Sequence, residues 1–142
     1  MGLASLEGQA EMVGATGYLL EEMVTGAVAE VLVGLRRDPV YGVSLTLGMG
    51  GVTAELLADT VTLIWPVTGD QVLAEMQKLR LWPLLNGYRG RPRADMVALV
   101  AMAVRLGALM AGDDSLEEIE INPVMVCASG AVAVDALIRK VM

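Results

Sequence analysis

Glu118, Glu120 and Asn122 alternate with Ile119 and Ile121 in E-I-E-I-N-P-V, and Asp135 ends the A-V-A-V run that follows. A period of two is the signature of a strand with one apolar face and one face of oxygen donors. Amide and carboxylate oxygens are hard ligands, and such a set suits Mg²⁺, which is typically held by one or two carboxylates, waters and nucleotide phosphates. Whether these donors meet depends on register. If Ala128-Ser129 is the loop of a hairpin, Asn122 lies directly opposite Asp135, with Cβ atoms roughly 4.5–5.5 Å apart. If Ser129-Gly130 is the loop, the two are diagonal neighbours. A three-residue loop puts them on opposite faces unless Pro123 marks a bulge. The plain alternative is that Glu118 and Glu120 solvate an edge strand whose ends are marked by Asn122 and Asp135.

The element that must stand beside this hairpin is a glycine bend. Val43–Leu47 reads as a strand running into Gly48-Met49-Gly50-Gly51 and then Val52, Thr53, Ala54 and Glu55. Glycines leaving a strand bring backbone N–H groups close to phosphate oxygens. The spacing is that of neither a Walker A loop nor a Rossmann fingerprint, and a tight turn without a ligand explains it equally. Upstream, Leu3, Leu6, Ala10 and Val13 have helical spacing, with Gly14 and Gly17 as stops. Tyr18–Val24 and Val28–Leu35 read as strands joined through Thr25-Gly26-Ala27. Glu30 stands alone among apolar residues of the second strand; because an unpaired buried carboxylate is costly, it either points to solvent or faces a site.

Arg36-Arg37-Asp38-Pro39 reads as a turn and Asp59–Trp65 as a further strand. Thr68 is placed to cap a helix running to about residue 80, broken at Trp82-Pro83. Leu84–Arg93 reads as a glycine-rich basic loop that binds an anion or pairs with nearby acids. Ala94–Ala111 is the longest helical pattern, apolar on nearly every face, and so is buried within the domain or against something outside it.

Composition narrows the functions. The 142 residues suit a single domain, 1–142, and carry a formal charge of −7, which argues against sequence-independent binding to nucleic acid or to an anionic membrane. No apolar run reaches the eighteen or so residues of a membrane helix, and Met1–Ala10 shows no basic region followed by an apolar core. The single Cys127 leaves no disulfide framework within the chain and points to the cytoplasm. With no His, the commonest acid–base group and the usual Zn ligand are missing. Ten Met and no Phe mean adaptable packing without chemistry of its own.

The order of E-E-M-V, V-A-E-V-L-V-G, R-D-P, G-M-G-G-V-T-A-E, P-L-L-N-G-Y-R-G-R-P, E-I-E-I-N-P-V and A-V-D-A resembles the NDP-forming acyl-CoA synthetases. The likeness covers nearly the whole chain and is to the C-terminal half of their ATP-grasp domain; the chain is similar also to the β subunit of succinyl-CoA synthetase. The resemblance implies that Asn122 and Asp135 hold the Mg²⁺ of ATP or ADP, with Glu120 assisting through water. It implies that Leu20-Glu21-Glu22-Met23 meets adenine and ribose, with Glu21 or Glu22 as the polar contact. Gly48, Gly50 and Gly51 would face the phosphates and receive a mobile phosphohistidine, with Glu55 beside them as the candidate catalytic group. Arg89 and Arg91 match a family motif to which the resemblance assigns no role.

Departures are equally informative. The earlier ATP-grasp subdomain, with its phosphate-binding lysines, has no counterpart, since Lys78 and Lys140 are the only lysines and neither has a matching context. The CoA-binding and phosphohistidine-bearing domains are absent too, so the chain reads as part of a longer enzyme or one subunit of a split one, inactive alone. The expected fold is α+β or α/β, a largely antiparallel sheet backed by helices near 69–80 and 94–111. Its expected function is half of a site that makes acyl-CoA from acid, CoA and ATP through acyl phosphate and phosphohistidine. Two rivals remain: a non-catalytic module whose apolar helix mediates oligomerisation, homo-oligomers included, and a different ATP-grasp carboxylate ligase.

Overall fold

The computed structural model describes residues 15–51 and 57–141. Its centre is a six-stranded antiparallel sheet. Strands β1 (Ala27–Asp38), β2 (Gly42–Met49) and β3 (Thr60–Ile64) come first, followed by helices α1 (Gly69–Met76), α2 (Trp82–Leu85) and α3 (Met96–Gly112). The chain ends with β4 (Leu116–Cys127), β5 (Ala131–Ala133) and β6 (Ala136–Lys140). Across the sheet the order is β3-β2-β1-β4, and β4 then pairs with both β5 and β6. The antiparallel sheet backed by helices is as expected.

Alternation in the strands decides where the core lies. Val31, Val33, Leu45, Leu47, Ile119 and Ile121 are buried together with Val72, Met76, Leu99, Ala103 and Met110 from the helices. On the other face Glu30, Leu32, Gly34, Arg36, Thr46, Glu118 and Glu120 are exposed or half-buried. One face therefore supplies the hydrophobic stabilisation and leaves the other free for chemistry.

Local signals account for the helices. Thr68 caps α1 in a capping box: its hydroxyl accepts from Gln71 N while the Gln71 side chain accepts from Thr68 N. This helix ends at Met76 instead of near residue 80; Asp59 accepts from Arg80 N and Leu81 N at 3.0 and 2.8 Å and fixes the turn there. Pro83 begins α2 instead of breaking a helix, since a proline in the first turn gives up no intrahelical bond. On α3, Leu99, Ala103, Gly107 and Met110 form one buried line, whereas Val97 and Leu109 are exposed.

The expected strand over Tyr18–Val24 does not form. Residues 15–25 have no regular structure, and Leu20 and Met23 are 93% and 82% exposed. Their β propensity finds no neighbouring strand with which to pair, and propensity without a partner is weak.

Asp95 joins the longest helix to the terminal hairpin. Its carboxylate caps α3 through Ala98 N at 3.0 Å and accepts from Gly130 N in the hairpin loop at 2.9 Å. Its own N–H donates to Cys127 O at 2.8 Å. The bonds from Ala98 and Gly130 favour the charged form and hold the carboxyl below its ordinary value, as the bonds from Tyr41 and Val40 do for Asp38 and those from Ser115 do for Asp113. Lowered folded values mean stability that is complete above the unfolded carboxylate range near pH 4 and lost as pH falls through the folded values. Asp95→Ala is expected to lower the thermal midpoint by several degrees at pH 7. Asp95→Asn, which keeps an acceptor but no charge, should lose less at pH 7 and flatten the decline below pH 4. Melting curves of the three proteins between about pH 2.5 and 7 check this.

Candidate functional site

Pairing between β4 and its partners settles the register. Val124 faces Ala133, Val126 faces Ala131, and Ile121 faces Ala136. Cys127 N donates to Gly130 O, leaving Ala128-Ser129 as the loop. Asn122 and Asp135 are therefore directly opposed, and Asn122 N donates to Asp135 O at 3.3 Å. Opposed residues of an antiparallel pair project from the same face.

That face is the uncovered one, because β4 bulges. Val31 faces Val124 and Val33 faces Ile121, so both Asn122 and Pro123 lie across from Leu32. Proline has no N–H to give the ladder and is accommodated at such irregularities. The extra residue shifts the buried set from Ile119 and Ile121 to Val124 and Val126. Asn122 keeps the outward phase of Glu118 and Glu120. Glu120 pairs with Leu137 and Glu118 with Arg139, to which it is also bound as an ion pair. Two residues along a strand are about 7 Å apart, which sets the spacing of Glu120 from Asn122 on this face.

The glycine bend abuts this pair. Gly51 N donates to Asn122 Oδ1 at 2.9 Å, which fixes the amide oxygen toward the bend. Gly50 N donates to Glu30 O at 2.9 Å. Glycine is required here for room. A Cβ on Gly50 would lie 2.7 Å from Val31 C, and one on Gly51, whose φ is +71°, would run into the Glu30 carboxylate. The amides of Gly50 and Gly51 are thus spent inside the protein, contrary to the expectation that they are offered to phosphates. Gly48 lies within β2, opposite Leu32 and Thr60.

Glu30 is exposed and stands against Gly51. Of the two sequence alternatives, the exposure of Glu30 meets the first, and it lies on the same sheet face as Glu118, Glu120 and Asn122. Sequence reasoning passed over Gly34, on the floor of a groove lined by Leu32, Arg36, Thr46, Glu118 and Glu120. A glycine in the interior of a strand was its available signal. Glu21, Glu22 and Met23 lie in the exposed stretch before β1. Glu55 lies outside the described residues.

A sequence model of the ATP-grasp domain matches residues 3–139. The chain belongs to the ATP-grasp family. Among its relatives, a trans-feruloyl-CoA synthase from an unidentified prokaryote is 38% identical over 85% of this chain and 17% of that protein. The β subunit of the ADP-forming acetate–CoA ligase I of Pyrococcus furiosus is 35% identical over 75% of this chain and 46% of the subunit. An acetyl-coenzyme A synthetase of Ca. Korarchaeum cryptofilum, solved with coenzyme A and Mg-AMPPCP and with its phosphohistidine segment pointing towards the nucleotide binding site, superposes with a TM-score of 0.78. It is 28% identical, over 84% of this chain and 55% of that one. The chain spans less than half the length of these two curated relatives.

For an ATP-grasp chain the donor set fits a divalent cation. Asn122 Oδ1 carries a second lone pair beyond the one taken by Gly51, since a carbonyl oxygen accepts twice. Asp135 is exposed, and no described residue forms an ion pair with it.

Proposed function

We propose that this chain is the nucleotide- and Mg²⁺-binding half of an ATP-grasp site in an ADP-forming acyl-CoA synthetase. The reaction served is acid, CoA and ATP to acyl-CoA, ADP and phosphate. The carrying observation is that Asn122 and Asp135 are directly opposed on the uncovered face, with the Asn122 oxygen tied to the glycine bend. Asn122 and Asp135 hold the cation and Glu120 supports it through water. When bound, the cation neutralises phosphate charge and orients the phosphates, the main electrostatic contribution to phosphoryl transfer.

The chain's own residues shape the rest. The Gly51 bond fixes the Asn122 amide, so that the oxygen is presented without loss of rotamer freedom on binding. Gly50 and Gly51 let the bend approach β1 closely enough for that bond. Glu21, Glu22 and Met23 supply the base and ribose contacts, and their exposure before β1 is that of a surface awaiting a partner. Glu55, four residues after Gly51 in the sequence, is the candidate catalytic group.

Half of a site binds but does not turn over. The complementary subdomain and the CoA-binding and phosphohistidine-bearing domains come from elsewhere in the same cytoplasmic enzyme, and the carboxylic acid binds there. The relatives support this reading: one acts with acetate and the other with a ferulate, so the part they share with this chain serves a step common to different acids.

Calorimetric titration of ADP and ATP into the 142-residue chain, with Mg²⁺ and with EDTA, is the test. Saturable binding that weakens at least about tenfold in EDTA is expected, with no acyl-CoA formed by the chain alone. Binding that is absent, or equal under both conditions, removes the proposal in favour of a module that has lost its nucleotide.

A further inference from the structure

The basic loop left without a role has an unusual build. Arg89, Arg91 and Arg93 place three of the ten cationic residues of an acidic chain within five positions. Arg37, Lys78, Arg139 and Lys140 each pair with a carboxylate, whereas the three loop arginines, like Arg36, Arg80 and Arg105, form no ion pair with a described residue.

The loop is also held in shape. Ala94 N donates to Leu85 O at 2.8 Å and closes its ends, while Arg91 N donates to Tyr88 O at 3.2 Å inside it. Gly87, Arg89 and Gly90 all have positive φ, at +93°, +52° and +77°. Arg89 is the informative one, because a residue with a side chain enters the left-handed region at a cost that is retained where local geometry is needed. Its guanidinium lies over the Tyr88 ring, 5.3 Å from the centroid, a cation–π contact that limits its motion. The Arg93 stem packs at Gly87, where a Cβ would be 3.1 Å from Arg93 Cγ.

We propose that the Gly87–Arg93 loop is an anion site for a small phosphate-bearing molecule, separate from the Asn122–Asp135 pair. Exposed guanidiniums on a closed loop offer forked donors matched to phosphate oxygens, and a preformed array loses little freedom on binding.

Inorganic pyrophosphate is the probe, titrated into the 142-residue chain in EDTA so that the cation-dependent site plays no part. Amide NMR is expected to show saturable shifts at Gly87, Tyr88 and Gly90. Arg91→Gln and the double variant Arg89→Gln/Arg91→Gln should weaken binding about tenfold or more, with amide spectra outside the loop unchanged. Absence of saturable binding overturns the proposal. So does an affinity unchanged in both variants, or equal affinity for a tetraglutamate peptide, which would show only diffuse charge.

Discussion

Asn122→Ala is expected to weaken Mg²⁺-dependent ADP binding by about ten- to a hundredfold. Two losses combine. In the proposed site the cation would give up one of its two protein donors, and the Gly51 N–H gives up its acceptor. An N–H left unpaired costs about 1–3 kcal/mol, so thermal stability should fall as well. Asn122→Asp separates the effects: it keeps an oxygen acceptor for Gly51 and a hard ligand, and should retain most of the affinity. If the Ala and Asp substitutions weaken binding equally, the side chain acts through bulk or folding and not through its oxygen.

Gly50→Ala should cost both stability and nucleotide binding, because its methyl would press on the backbone of β1. The new Cβ would lie 2.7 Å from Val31 C and 3.0 Å from both Val31 N and Leu32 N. Those are backbone atoms of the central strand β1 and cannot swing aside as a side chain can. Overpacking typically costs about 1–3 kcal/mol, and the upper part of that range is expected here, or about 5–10 °C in midpoint for a domain of this size. The bend must move to relieve the contact, so nucleotide binding should fall with stability. Gly107→Ala is the control. A methyl there would overlap the Trp65 ring, on the helix side of the sheet, so it should lower the midpoint comparably yet leave Mg²⁺–ADP affinity within about twofold. Equal loss of affinity in both variants would show that binding follows general stability and not the position of the bend.

What was legible in the sequence were features set by near neighbours. Alternation through Glu118–Ile121 and the Thr68 N-cap are each decided within a few residues, and each is found, while the loop at Ala128-Ser129 is one of the three alternatives the residues left open. The bulge of β4 against β1 was not foreseen: a bulge at Pro123 was considered only within the hairpin and only for a three-residue loop, although Pro123 supplies the physical cause of the one observed. Features set by distant partners were harder to see. Tyr18–Val24 has the residues of a strand but no neighbour to pair with. The bonds of Asn122 to Gly51 and of Asp95 to Gly130 join positions 71 and 35 residues apart, and no local pattern announces them. The glycines were recognised as a close approach, but not that their N–H groups are taken by Asn122 and Glu30, because only the fold shows which acceptor arrives first.

The most direct test is paramagnetic relaxation by Mn²⁺ in the presence of ADP, followed through the amide resonances of the 142-residue chain. Gly50, Gly51, Asn122 and Asp135 should broaden first and together, at Mn²⁺ concentrations that leave Val97 and Leu109 on the exposed side of α3 sharp. Broadening centred elsewhere, or reaching Asp135 but sparing Asn122 and Gly51, would contradict a shared cation between the two strands.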